Sequence, residues 1–422
     1  MSLNISAFDN VLKDWYEGAI RETLNNDVPL YKHLESSDKQ WSGRRSVYPV
    51  HTSRNTGVGS RAEGANLPTA GNQSYQLAVV SATYLYGRGQ VSGQVVAAGK
   101  NAFADALQSE LTGLSKDLTI ECSRQSWGTG DGRLAQIAAA VASSTSITVF
   151  NRYNTTGTKF GSPGARFVVA GQLLDIGTVA DPDNNAANAV VISVALSSSP
   201  GTVTDTVTIS NSAFSGSACE SYLFNASAGG IGPEMLGMQA LIDVYTQANY
   251  FQSNSFLTTV QGISRASVAQ WNSIVLANSG VARILDGNLM QLAFDQMHQE
   301  SGKEPGMIMA HHDVVRAFLD SVSADRRYAS PSFDAGMSGL SYNGVPLERD
   351  RHAPYNACYL WVKGAIKQFT LLDTEFADDD GSILSRVANQ DNWEFFVRRY
   401  ANLGIDSSPK EMLAIRDIRT DL

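Results

Sequence analysis

The side chains of this chain with the means to do chemistry are few and scattered. His298, His311, His312 and Asp313 make up the densest group of metal-ligating or proton-transferring residues. Adjacent His311 and His312 would point to different faces of a helix, so one ion could not easily take both. Helix-start residues bonding to nearby groups are the expectation there. Asp378-Asp379-Asp380 offers oxygens for a divalent cation, or else forms an exposed turn. Gly336-Met337-Ser338-Gly339-Leu340 lacks the final glycine of the G-x-S-x-G nucleophile elbow, which leaves a loop serine. Gly128-Thr129-Gly130-Asp131-Gly132 misses the G-x-G-x-x-G spacing and follows a helical pattern, so it reads as a turn. No G-x-x-x-x-G-K-[ST] loop occurs. Six histidines are too sparse to anchor a Ser-His-Asp arrangement. Cys122, Cys219 and Cys358 lie far apart with no C-x-x-C spacing, against a disulfide scaffold or structural zinc and in keeping with a reducing compartment. The sequence therefore predicts no catalytic residues, no cofactor and no metal.

Composition narrows the class. A chain of 422 residues corresponds to roughly two to three domains of about 150 residues each. Hydrophobic residues are 43%, enough for sizeable cores, while charged residues are 17%, below the usual quarter. That deficit suggests surface buried against other chains, or a polar uncharged surface. The net charge of -9 argues against a protein whose main task is gripping nucleic acid through phosphates. Sixteen Phe, 15 Tyr and 6 Trp exclude whole-chain disorder. The first thirty residues carry Lys13, Asp14, Glu17, Arg21 and Glu22, unlike a signal peptide, and no uncharged apolar run approaches the ~20 residues of a membrane span. A soluble cytosolic protein without membrane contact is expected.

The elements follow from periodicity. Phe8, Val11, Leu12, Trp15, Ala19 and Ile20 recur near helical spacing in an N-terminal arm that packs on its own domain or on a neighbour. Residues 41–90 contain Arg44, Arg45, Arg54, Arg61 and Arg88 against Glu63 alone. Short alternating runs at Ser46–Val50 and Tyr75–Leu85 flank a Gly-rich turn, predicting a long basic hairpin that must lie on something else, since two strands alone are marginal in water. Leu107, Leu111, Leu114, Leu118 and Cys122 step by four, four, three and four, the stripe of a long helix over 101–125. Glu110, Asp117 and Glu121 form an acidic flank beside it. Residues 136–228 alternate over Ser146–Tyr153, Arg166–Val179, Ala189–Leu196, Thr202–Ser210 and Ser221–Ala226, a small β-barrel or sandwich inserted between other parts. Residues 229–370 are mixed α and β. Asp286 is expected to cap a helix carrying Leu289, Leu292, Ala293 and Met297, Met307–Met309 to form a buried strand and His311–Val322 a helix. Trp393–Tyr400 and Met412–Ile418 read as strands.

In this order the segments resemble the major capsid proteins of tailed phages with the Hong Kong 97 fold. Arg61-Ala62-Glu63-Gly64-Ala65-Asn66-Leu67-Pro68 resembles that family's E-loop. Tyr84–Gly99 and the 101–125 helix resemble the strand and spine helix of its peripheral domain, and Trp127-Gly128-Thr129-Gly130 the glycine-rich exit from the spine. Ile263-Ser264-Arg265-Ala266 with Trp271, Pro305–Ala310, and Tyr342-Asn343-Gly344-Val345-Pro346-Leu347 resemble segments common in phage capsid chains. Tyr400–Ile418 is similar to the returning strands of the peripheral domain.

The resemblance implies an α+β fold with an N-terminal arm (1–40), an E-loop hairpin (41–90), a peripheral domain with the spine helix (91–135), an inserted β domain (136–228), an axial domain (229–370) and a return to the peripheral domain (371–422). It implies a structural protein that self-assembles through pentamers and hexamers into an icosahedral shell around double-stranded DNA, assembled in the host bacterial cytoplasm. Its partners would be further copies of itself, a portal protein, and a separate scaffold and a decoration protein where the phage has them. A scaffold-like N-terminal extension is not expected, because the arm begins at residue 1. Arg54, Arg61 and Glu63 of the hairpin, with Glu110, Asp117 and Glu121 of the helix, are the expected inter-subunit contacts. No lysine lies between Lys39 and Lys100, so the loop has no amine for an isopeptide crosslink. The alternative is an encapsulin-like shell around protein cargo, which shares the fold.

Overall fold

The computed structural model describes residues 28–92, 100–139, 141–142, 144–151, 164–178, 186–197, 204–210, 215–216, 221–226, 234–244, 258–323, 340–378, 385–387 and 390–420. The expected arm helix, Cys219 and the Gly336–Gly339 loop fall outside them, as do Asp379 and Asp380.

The leucine stripe does form one long helix, Lys100–Trp127, about 42 Å long at 1.5 Å per residue. It lies on a five-stranded sheet built from Glu35–Ser36, Ile366–Phe376, Asn392–Ile405, Ser385–Arg386 and Thr83–Ser92. Leu111 and Leu118 bury against Val91, Phe376, Phe395 and Val397. Thr83–Ser92 pairs with Asn392–Ile405 from Thr83↔Ala401 to Ser92↔Asn392, and Gly87 and Gly89 lie on the helix side of that strand. A Cβ on Gly89 would overlap the Phe395 ring, and one on Gly87 would sit 2.9 Å from Leu114 Cδ1. The strand thus gives up side chains where the helix and Phe395 crowd it. Gly130 and Gly132 take φ of 82° and 78°, the left-handed region that favours glycine, and turn the chain out of the helix into strand Arg133–Gln136.

The predicted hairpin pairs Arg45–Ser53 with Ser74–Ser81, and Trp41–Ser42 adds a third short strand. Its base rests on its own chain. Tyr48 stacks on Phe369 with centroids 5.9 Å apart and donates to the Ile405 carbonyl, and the Val79 amide donates to Gln261 O at 2.8 Å. Its far half stands clear of the other described residues: Val58 is 78% exposed and Leu67 88%.

A mixed six-stranded sheet runs in the order Ile274–Leu276, Met412–Ile415, Cys358–Trp361, Met307–Ala310, Val345–Arg349, Ser341–Tyr342. Both faces are covered. Helices Gly287–Ser301 and His312–Ser323 bring Met290, Phe294, Val314, Val315 and Phe318 against Ile308, Leu360 and Leu413 on one side. Met307, Met309, Tyr359 and Met412 point the other way, into a core with Met238, Leu241, Trp127 and Trp271. This two-sided burial explains the unbroken apolar run Met307-Ile308-Met309-Ala310. Asp286 caps the first helix by accepting from the Leu289 amide at 2.8 Å, as its position predicts.

Six antiparallel strands between Arg133 and Asn225 follow the order Arg133–Gln136, Tyr222–Asn225, Leu173–Gly177, Ala186–Ala195, Thr204–Ile209, Ser146–Phe150. A bridge from Ile137 to Val149 joins the two ends, closing the sheet around Leu134, Ile147, Leu174, Ile176, Val191, Val207 and Leu223. The expected continuous strand Arg166–Val179 is instead a 3-10 turn, Gly164–Phe167, then strand Leu173–Gly177. Gly171, inside that run, takes positive φ and interrupts it.

The long helix, the mixed sheet and the closed β unit meet around residues 350–355. The Trp127 indole at the helix end donates to Asp350 Oδ2 at 2.9 Å, and the His352 ring bonds Ser123 Oγ. From the closed β unit, Arg166 Nη1 donates to Tyr355 Oη at 2.7 Å and Nη2 to the Arg351 carbonyl. Two outcomes follow. Gly89→Ala forces Phe395 out of its packing and costs about 1–3 kcal/mol, read as a lower denaturation midpoint. Arg166→Ala removes the side-chain tie between the β unit and the loop, at about 1–2 kcal/mol. Limited proteolysis then cuts faster near residues 351–355, while exchange-protected amides of the β unit stay protected.

Candidate interaction surfaces

The residues predicted to make contacts are where an unused surface would be. Arg54, Arg61 and Glu63 are exposed in the loop joining the two long hairpin strands, and Glu110 and Asp117 are exposed on the long helix. Among the described residues, none of these five forms an ion pair within the chain. The loop is shaped locally: the Gly57 amide donates to Asn55 Oδ1 at 2.7 Å, and Gly57 and Gly71 approach so closely that a Cβ on Gly71 would lie 2.9 Å from Gly57 N. The hairpin loop thus presents two arginines, Val58 and Leu67 that, among the described residues, have no ion-pair partner and stay exposed.

Glu121 is placed differently from the expectation. Its carboxylate takes Arg124 Nε at 3.0 Å and Nη2 at 2.5 Å, and Gln125 Nε2 at 3.0 Å. Burial opposes its ionisation, yet the charge and hydrogen bonds of Arg124 outweigh that and hold it below the usual carboxylate range. Glu121 is therefore bonded within its own helix end, and the acidic flank open to another chain reduces to Glu110 and Asp117. A helical wheel places Glu121 on the flank but cannot show that Arg124, one turn on, captures it.

The sheet face away from the long helix is aromatic. Tyr84 and Tyr86 stand exposed beside Tyr400, with ring centroids at 4.9 and 5.8 Å, and the Tyr86 and Tyr400 hydroxyls are 3.1 Å apart. That hydrogen bond, more than burial, pushes the Tyr86 phenol up to about 12. Arg88 pairs with Glu394, and Arg398 with Glu375 at 2.9 Å. Sequence alternation signalled the strand but not that its aromatic face stays open.

The histidines make no catalytic or metal arrangement. His312 is the first helical residue and His311 precedes it, so their rings do not diverge as expected but stack 5.4 Å apart at 24°. His311 also meets Tyr355 edge-on at 4.1 Å and accepts from the Asp313 amide. Burial lowers the proton affinity of both rings. His298 lines a shallow cavity of about 260 Å³ with Asp295, Glu304, Gln291, Gln299, Phe294 and Asn343, where no serine, cysteine or lysine nucleophile is present. Among the described residues, no three His, Cys, Asp or Glu side chains converge on a metal position, and no helix is long and apolar enough to cross a membrane.

Sequence reasoning missed the buried arginines. Arg265, from the Ile263–Ala266 segment, donates to the Ala240 and Leu241 carbonyls at 3.0 and 2.7 Å and caps the short helix Met238–Leu241. Arg416 pairs with Asp243 at 3.0 Å and donates to Ile242 O at 3.1 Å. An arginine in an apolar context was the available signal, but its partners lie up to 174 residues away.

No family model matches the chain, and no curated protein matches it by sequence. Solved structures do match it. The capsid of Cyanophage A-1(L) aligns over 93% of this chain and 93% of its own, with 13% identity and a TM-score of 0.54. The capsid of a native GTA particle aligns over 93% and 90%, with 9% identity and a TM-score of 0.48. An encapsulin from Synechococcus elongatus PCC 7942 aligns over 42% and 63%, with 12% identity and a TM-score of 0.28. Built from several sheets, one long helix and a closed β unit, the chain has the mixed α+β fold of the cyanophage capsid chain.

Proposed function

We propose that this chain is the major capsid protein of a tailed phage, a structural protein rather than an enzyme. It self-assembles through pentamers and hexamers into an icosahedral shell enclosing double-stranded DNA. The observation that carries the reading is the end-to-end structural match to the cyanophage capsid, 93% of both chains. A match spanning both chains is what a shared architecture produces, whereas a shared submotif would leave one chain largely uncovered. In this reading the hairpin is the E-loop, Lys100–Trp127 the spine helix, the Met307–Ala310 sheet the axial domain and the closed β unit the insertion. A portal protein, and a scaffold and decoration protein where present, complete the particle.

The hairpin reaches over a neighbouring subunit, where Arg54 and Arg61 face Glu110 and Asp117 of the neighbour's spine helix. Each exposed pair contributes roughly 0–1 kcal/mol. The pairs set orientation and register, while burial of Val58, Leu67 and the sheet's tyrosines supplies most of the stability. Contacts that are individually weak and symmetric let a misplaced subunit dissociate before the shell closes. The loop carries no lysine, so the shell holds without isopeptide welds.

Negative-stain electron microscopy of the purified chain, alone and with a scaffold partner, is expected to show closed particles or capsomer rings. Dispersed monomers under both conditions would overturn the capsid reading. Arg61→Glu is expected to fold with stability within about 0.5 kcal/mol of the parent but to assemble poorly. Combining it with Asp117→Lys restores part of the particle yield, and normal shells from Arg61→Glu alone would refute the pairing.

A further inference from the structure

At the C-terminal end of the long helix two carboxylates share one guanidinium. Arg124 Nη2 donates to Glu121 Oε1 and to Glu234 Oε1, each at 2.5 Å. The Arg124 side chain is 5% exposed and that of Glu234 11%. The Glu121 side chain is 29% exposed, so with both acids ionised the excess negative charge that is costly to hold falls on the more buried Glu234.

The surrounding groups do not cancel it. Asp131, in the turn after the helix, is matched by Arg133 at 2.7 Å. Asp350 is held by the Trp127 indole. Burial, with help from Arg166, Arg351 and Arg124, lowers His352 to about 3, so that ring is neutral. Tyr31, whose hydroxyl donates to Met235 Sδ, lies under the Arg399 guanidinium, and burial keeps its phenol protonated. Cys122 is pushed up to about 11, chiefly by burial, and is also neutral. Neutralisation therefore falls to a proton on Glu234.

Glu234 sits where two elements meet without slack. A Cβ on Gly237 would lie 2.5 Å from Gln125 O and from Gly128 N and O. The Leu236 amide donates to Asn402 Oδ1 at 2.9 Å, and helix Met238–Leu241 then enters the main core. A small displacement of segment 234–241 would break this fit and be felt by both the long helix and the Met307–Ala310 sheet.

We propose that Glu234 and Arg124 form a proton-dependent latch: the segment 234–241 is seated on the end of the long helix while Glu234 carries a proton, and the seat loosens when that proton leaves. Burial, then repulsion from Glu121 and Asp131, outweigh Arg124 and push Glu234 up to about 7 from its ordinary 4.5. The folded carboxyl thus binds its proton more tightly than the unfolded one. The latch's stability is full below about 4.5 and is lost as pH rises through about 7.

The test is hydrogen exchange of the intact chain at about pH 6 and about pH 8.5, corrected for the intrinsic exchange rate and read over peptides covering 234–241. Wild-type protection is expected to fall roughly tenfold between the two. Glu234→Gln, an uncharged isostere, removes the difference. Glu121→Gln leaves Arg124 to Glu234 alone, lowers the proton affinity of Glu234 and flattens the same response, so the latch stays testable if Glu234→Gln fails to fold. Equal wild-type protection at both pH values would overturn the latch, as would an unchanged pH response in either folded variant.

Discussion

The end of the long helix, the hairpin base and the inner face of the mixed sheet are set by how tightly segment 234–241 seats against the last turn of that helix. Gly237 has no room for a side chain between Gln125 and Gly128, so the distance between the two elements is fixed by backbone contact rather than by adaptable side chains. From that contact Trp127 reaches Asp350 and Tyr359 on the mixed sheet. Asn402 joins Leu236 to Ser81 at the hairpin base. The helix, the hairpin and the sheet behind it therefore share one reference point. The closed β unit hangs on the same loop through Arg166. Its core is separate from the others, so it is positioned by a few polar ties more than by shared apolar burial.

The balance of forces differs between the inside and the outside of this chain. Inside, the buried arginines are paired with carboxylates or spent on main-chain carbonyls, as Arg416 is on Asp243 and Ile242. Removing either partner of such a pair leaves an uncompensated buried charge. Outside, Arg54, Arg61, Glu110 and Asp117 are exposed and, among the described residues, form no ion pairs, and Val58, Leu67 and Ile120 nearby in sequence stay in water. Reversing one exposed charge barely touches folding, because it leaves no buried group unpaired. The low overall charge content fits this division, because the surface is not uniformly charged but patterned.

Local periodicity made much of the fold legible. The stripe from Leu111 to Cys122, the alternating strands about the hairpin, the Asp286 cap and the short strands of the β unit all follow from spacing of residues close in sequence. What spacing could not supply is who sits beside whom. Thr83–Ser92 is a strand by pattern, yet its partner begins about 300 residues later, at Asn392. Glu121 lies on the predicted flank, yet Arg124 holds it. Arg166 falls in an alternating run, yet it sits in a 3-10 turn ahead of the break at Gly171, and there its side chain reaches Tyr355. That Arg54, Arg61, Glu110 and Asp117 are exposed was readable from the polar or helical-flank position of each, because exposure needs no distant partner.

The order in which these surfaces come into being follows from the same long-range pairings. The hairpin base is held by Phe369 and the Ile405 carbonyl, and the tyrosine face needs Tyr400 beside Tyr84 and Tyr86. Each contact joins residues more than 300 apart, and such non-local pairing is slow because loop closure must precede the contacts that reward it. Neither surface is complete until the last fifty residues have been made and docked. A chain still being synthesised therefore presents neither a fixed hairpin nor a finished sheet face.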